Sequence, residues 1–415
     1  RPDAASRAGL ARLLFRVTTV AGLPPSRRQH AAALLSHVLR RSKHMHALSL
    51  PWQPLWELLL EHHLPPDGPP TYASRAGVRS LRAELARAAS QCRRHFTEEA
   101  ATEMLVAAEP LLCPHDPARF MLVAGMLSLM LPTHGAASRT WLPAVLSLWH
   151  GVGVDGSAEY DGLWLGLLGR LVKDEFYGHA VRVDWAPLLP MIHSCCLRLL
   201  RLPGGQEASA QLRPSVLRAP WEILSVFERC GTSDALRAAA RLLILTLPAV
   251  PTSAEPPPPP PFFADHSEAA AWRETQVAAA SEEEECAAAA EGHHPPAAGT
   301  CAAVASVRAW TQLRQLLRCI EPYCHPSNSG SWSSEVGYFL QAIAQFSWWR
   351  VRVERSRPEA PSACGALPLG ARDVWALACA LEPLITQARY SKSGLLARCA
   401  DSAAKYALRL APELL

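Results

Sequence analysis

Apolar residues recur along most of this chain at spacings of three and four, and strict alternation is hard to find. That pattern predicts helices rather than strands. Around Val78–Cys92, the residues Val78, Leu81, Leu85, Ala88 and Cys92 share one face, while Arg75, Arg79 and Arg82 line another. Val304–Ile320 repeats the arrangement: Val304, Val307, Leu313, Leu316, Leu317 and Ile320 stand against Arg308, Gln312, Arg314 and Gln315. Asp373–Leu384 and Gly394–Leu410 read the same way. Phe120–Leu131 is apolar throughout, which predicts a buried helix, and at about a dozen residues it falls short of the roughly 20 that a membrane span needs.

Punctuation supports these assignments. Asp116-Pro117 reads as an N-cap followed by proline at the first helical position, and Pro132 closes the helix so opened. Thr97 is placed to cap the preceding helix, with Glu98 and Glu99 suiting its first turn. Breaks rich in proline and glycine fall at 64–70, 132–135, 151–156, 203–205 and 322–330, so helices recur about every 20 residues. A long series of amphipathic helices with short turns predicts an all-α fold, an α-solenoid in which each pair buries its face against the next. Several unrelated helical bundles form the competing architecture.

One stretch breaks the pattern. The reading divides the chain into solenoid at 1–250, an insertion at 251–303, and continuing solenoid at 304–415. Between Pro251 and Thr300 lie a proline run (Pro256–Pro261), an acidic run (Glu282–Glu285) and alanine stretches, with nine acidic residues and one arginine, a net of −8. A disordered surface loop is expected there. The first fifty residues carry a net of +8, so the two segments could attract, or both could simply be solvated.

Composition changes this picture little. Apolar residues make up 49% and charged residues 19%, which permits a large core and excludes wholesale disorder. The net charge of +4 is too small to argue for nucleic acid. Twelve scattered cysteines without C-x-x-C, and no secretory signal, predict reduced thiols in an intracellular protein. The start at Arg1-Pro2-Asp3 and an end inside helical-looking sequence suggest a fragment.

Candidate chemistry is sparse. Gly151–Gly156 satisfies G-x-G-x-x-G, but it follows the helical stretch Trp141–Trp149 with no strand, so an interhelical turn is expected rather than a dinucleotide site. The histidines of His44/His46, His62/His63, His293/His294 and Cys324-His325 lack the second ligand pair a zinc site requires. No nucleophile motif or phosphate-binding loop is present, so the chain is expected not to be an enzyme, and no catalytic, cofactor or metal residue is assigned. Of the tryptophans, Trp52, Trp56, Trp141, Trp149, Trp164 and Trp332 are expected in the core. Trp348-Trp349-Arg350-Val351-Arg352 is expected to form a basic surface patch.

Several motifs together resemble one family. They are Leu50-Pro51-Trp52-Gln53-Pro54-Leu55-Trp56, Ala101-Thr102-Glu103-Met104-Leu105 and Glu109-Pro110-Leu111-Leu112-Cys113-Pro114-His115-Asp116. Leu131-Pro132-Thr133, Val183-Asp184-Trp185, His325-Pro326-Ser327-Asn328-Ser329-Gly330-Ser331-Trp332, Tyr390-Ser391-Lys392-Ser393-Gly394 and Ala411-Pro412-Glu413-Leu414 follow in order. Collinear from Leu50 onward, they resemble the N-terminal portion of the proteasome activator complex subunit 4 family. The resemblance implies a HEAT-like α-solenoid that caps the core proteasome at its α-subunit ring and acts in the nucleus and cytoplasm. It also implies degradation without ATP or ubiquitin, protein substrates that include acetylated histones, and a link to DNA repair. No cofactor is expected in this chain, although the resemblance allows inositol phosphates bound elsewhere in the family; neither a membrane nor direct nucleic-acid contact is expected. The hydrophobic-Tyr-x tail by which the family docks is not found at Glu413-Leu414-Leu415. A generic HEAT or armadillo scaffold, or a nuclear-transport adaptor, is the alternative.

Overall fold

The computed structural model describes residues 4–41, 48–63, 75–112, 117–133, 137–153, 158–176, 183, 185, 188–200, 232–247, 298–327, 330, 332–356 and 368–411. Among the described residues every long element is an α-helix, and no strand occurs. The fold is all-α, as the apolar spacing predicts. The predicted insertion lies outside the described residues as far as 297.

Helices follow one another as α1 (Ala4–Thr19), α2 (Pro25–Arg41), α3 (Gln53–His63), α4 (Arg75–Cys92), α5 (Ala100–Ala108), α6 (Pro117–Met130), α7 (Ala137–Gly153) and α8 (Ala158–Phe176). After these come α9 (Leu189–Leu200), α10 (Thr232–Leu245), α11 (Ala298–Cys324), α12 (Ser333–Ser356), α13 (Ala371–Arg389) and α14 (Gly394–Leu410). The chain divides into two compact units, Arg1–Val181 with Ala210–Ala235 and Arg182–Ser209 with Leu236–Leu415.

Within the first unit the helices pack in two layers. Odd-numbered helices touch odd-numbered ones (α1 with α3, α5 with α7), and even-numbered helices touch even-numbered ones (α2 with α4, α4 with α6, α6 with α8). Partners within a pair, such as α1 with α2 and α7 with α8, also pack together. This is the layering of a solenoid, in which each pair covers the apolar face of its neighbour. The second unit repeats it, with α9 on α11, α11 on α13 and α12 on α14.

Direction confirms the layering. Gln341 Nε2 donates to Ser402 Oγ at 3.0 Å, and the Trp348 and Tyr406 rings lie 5.6 Å apart, so α12 and α14 run parallel. A Cβ added at Gly337 would stand 3.2 Å from Cys399 Cβ, so that glycine lets the two helices approach closely. The successive helices α13 and α14 are antiparallel, with Ala378 near Ala407 and Arg389 joined to Asp401 at 3.0 Å.

Local expectations fare unevenly. Helix α14 has the bounds read from the sequence, and Ser393 Oγ caps it by accepting from the Leu396 amide. Helix α6 opens at Pro117, and Pro132 follows its end. Four readings are corrected. Helix α5 starts at Ala100 with Glu99, not Thr97, at its N-cap; the Thr97 hydroxyl instead bonds the Glu99 carboxylate, which with a backbone bond lowers that group's pKa. Gly151 and Gly153 lie in the last turn of α7 rather than in an interhelical turn. Helix α13 continues past Leu384 through Pro383, because Ile385 and Ala388 bury its last turn and so offset a backbone bond lost to proline. Helix α11 begins at Ala298, ahead of the sequence boundary at 304.

Candidate interaction site

The tryptophans explain the inner packing first. Trp141 Nε1 donates to the Pro132 carbonyl at 2.6 Å and Trp149 Nε1 to Asp161 Oδ1 at 2.9 Å, while the Tyr160 ring meets Trp164 edge-on at 5.8 Å. Trp52, Trp56, Trp141, Trp149 and Trp164 are buried, as expected, whereas Trp332 is only half-buried. Each couples a large apolar area to a satisfied or packed indole between neighbouring helices.

Three buried or half-buried arginines then tie helices end to end. Arg28 Nη2 donates to the Val20 carbonyl just beyond α1 at 3.0 Å. Arg170 of α8 donates to the Ser128 carbonyl in the last turn of α6. Arg350 of α12 donates through Nη1 to the Ile244 and Leu247 carbonyls at the end of α10, at 2.6 and 2.5 Å. A helix end leaves its last carbonyls without intrahelical partners, and a guanidinium fork satisfies two at once.

Arg350 corrects the surface-patch reading. It is 1% exposed, and its Nε pairs with Glu354 Oε1 at 2.9 Å. Glu354 Oε2 in turn accepts from the Leu369 amide at 3.1 Å, ahead of the Gly370–Asp373 cap of α13. One connected set of bonds therefore joins the end of α10, the middle of α12 and the start of α13. A buried charge with all its partners in place specifies register more than it adds stability.

Val351 is buried too, and the remainder of that patch reaches the surface. Trp348 is half-buried, Arg352 is exposed, and the Arg352 guanidinium lies 5.2 Å from the Trp348 ring centroid. Arg409 of α14 approaches the same ring to 5.4 Å, and half-buried Tyr406 tilts against it. Lys405 and Arg355 are exposed nearby on the same two helices. Sequence reasoning found Trp348 and Arg352 but missed Tyr406 and Arg409. Lys405 and Arg409 at i,i+4 were the available signal for a basic stripe; their meeting with Trp348 depends on the register of α12 and α14.

Among the described residues no cluster of three His, Cys, Asp or Glu side chains could hold a metal ion. His62 faces Arg28 at 3.4 Å, and burial lowers its pKa against the pull of Glu61. His193 is likewise lowered by burial, opposed by a bond to the Gln312 backbone. Cys324 is buried and its thiol is pushed up to about 12, mainly by desolvation, while the neighbouring His325 is exposed and bonded to Ser327. Cys92, Cys195, Cys196, Cys319, Cys324, Cys379 and Cys399 form no disulfide. No helix of the described residues is long and apolar enough to cross a membrane. His44, His46, His293 and His294 lie outside the described residues.

Two of the motifs that carried the resemblance touch one another. Trp52 Nε1 donates to Glu103 Oε2 at 2.6 Å, joining the first motif to the second, and the Leu50 amide donates to the His95 carbonyl. In the turn between α11 and α12 a Cβ at Gly330 would stand 2.0 Å from the Trp332 ring, so glycine is required where that indole lies over the backbone. Trp332 also meets Tyr323 edge-on at 5.7 Å.

Residues 313–415 match the family model of proteasome activator complex subunit 4, mid HEAT repeats region. Over that segment the chain is similar to the proteasome activator complex subunit 4 family. A relative of that name in Xenopus laevis is 31% identical over 210 residues, covering 47% of this chain and 11% of the relative. The Homo sapiens protein of that name is 28% identical over 226 residues, covering 51% and 11%. Proteasome activator subunit 4 of Arabidopsis thaliana is 22% identical over 388 residues, 92% of this chain and 17% of the relative. The chain thus spans a small part of the length of these activators. The fold, the motifs and the matched HEAT segment agree.

Proposed function

We propose that this chain is a stretch of helical-repeat wall in a proteasome activator, a regulator of a peptidase rather than a peptidase. The observation that carries the reading is the contact between two family-like motifs, Trp52 on Glu103, together with the tight Gly330–Trp332 turn inside a third. Relatives bearing the activator name along the same sequence support it. In this reading the whole protein associates with the α-subunit ring of the core proteasome and promotes degradation without ATP or ubiquitin. Histones are among its substrates, it has a role connected to DNA repair, and it acts in nucleus and cytoplasm. The repeats supply curvature and surface; they need no cofactor of their own for that task.

The test is to combine the gene's full product with purified core proteasomes and follow fluorogenic-peptide hydrolysis without ATP. Stimulation together with co-sedimentation is expected. Co-sedimentation with unrelated carriers and none with core proteasomes would favour a generic HEAT scaffold or transport adaptor instead.

A further inference from the structure

We propose that the open face formed by α12 and α14 around Trp348 binds an acidic peptide segment, with its carboxylates on Arg352 and Arg409. Two guanidiniums stand within 5.4 Å of one indole centroid. Two like charges gathered at one ring repel, and the attraction of the ring relieves that only in part. No carboxylate on either helix compensates them. Glu354 is committed to Arg350 and the Leu369 amide, Asp401 to Arg389, and Glu335 lies in the first turn of α12. Exposed Arg355 and Lys405 add further positive charge.

Geometry selects carboxylates. A guanidinium held at a ring keeps N–H donors for a bidentate acceptor, and a side chain already held there loses little freedom on binding. A single-stranded nucleic acid would need the indole face for a base. Here the Trp348 ring already carries two guanidiniums and the Tyr406 ring. The cations are also confined to one short stretch of two helices instead of tracking along the repeats.

The face remains open when pairs are stacked. Tyr406 and Arg409 reach from α14 back toward α12, so they cannot lie on the side of α14 where a following pair would pack. The proposed partner is a segment from another molecule, rich in Glu and Asp around an apolar residue that contacts the aromatic edges. The inference rests on this geometry and not on the activator reading.

The experiment uses the whole chain and a fluorescein-labelled peptide of Glu and Asp residues around a central leucine, read by anisotropy at low and high salt. Binding that weakens with salt is expected. Arg352→Glu with Arg409→Glu should weaken it by about tenfold or more, while circular dichroism stays unchanged because both side chains are exposed. A Lys-rich peptide of the same design should bind the reversed variant better than the parent chain. An unchanged affinity in the reversed variant, absence of binding to the parent, or tighter binding of an oligothymidylate than of the acidic peptide would each overturn the proposal.

Discussion

Helices α6 and α14 occupy the same place in their repeats, the second helix of a pair, yet they meet opposite surroundings. From Phe120 to Met130 every residue of α6 is buried, enclosed by α3, α4, α5 and α8. In α14 only one face is buried, through Leu396, Cys399, Ala400, Ala403, Ala404, Ala407 and Leu410, and Arg398, Asp401, Lys405 and Arg409 stay exposed. A helix apolar on all sides must be interior, whereas an amphipathic one leaves a surface free. The difference teaches where each unit carries stability and where it can carry contacts. Helix α6 is structural from Phe120 to Met130, whereas α14 presents charge and aromatic edges.

The largest effect should come from the buried arginine that the open layer conceals. Arg350→Met leaves Glu354 buried without its partner and the Ile244 and Leu247 carbonyls without donors, and should cost about 3–5 kcal/mol in urea unfolding. Adding Glu354→Leu should recover much of that loss; no recovery would mean that the ion pair is not what holds the site. Next, Leu127→Ala in α6 should cost about 2–5 kcal/mol through the cavity it opens, read by thermal melting. A loss under about 0.5 kcal/mol, the usual range for surface changes, would remove the contrast between closed and open helices.

Gly330→Ala should cost about 1–3 kcal/mol, since its Cβ would displace the Trp332 ring. Near-native melting of that variant would show that the turn is not held by the indole. A smaller effect follows from protons. Folding lowers the pKa of His62 and of His193 from the ordinary 6.5, so the unfolded chain binds more protons as pH falls below that value. Stability is full above the ordinary value and declines as pH drops toward the folded-state values. Urea titrations at several pH values should show that slope, and His62→Gln with His193→Gln should flatten it. Smallest of all, Arg352→Ala should change stability by no more than about 0.5 kcal/mol while weakening acidic-peptide binding. A large destabilisation would place Arg352 in the structural framework with Arg350.

Much of the fold was legible because its signals are local. The face of Leu81, Leu85, Ala88 and Cys92 is buried as its spacing implies, and so is that of Leu313, Leu316, Leu317 and Ile320. Proline marked both ends of α6, because its missing amide acts within one turn, and apolar spacing alone bounded α14. Thr97 misled for the same reason: a cap signal says that a helix starts nearby, and competing side-chain bonds decide the residue.

The chain's apolar periodicity and end signals by themselves determined that it forms paired helices, where two of them begin or end, and which residues face inward. Tertiary structure alone decided that Arg350 is buried while Arg352, two residues on, is exposed, and that Trp52 answers Glu103 across 51 positions. It also placed Trp348 beneath a guanidinium from another helix. Periodicity fixes a residue's direction around its own axis. What stands opposite depends on the register between helices, which only the packing of their buried faces sets.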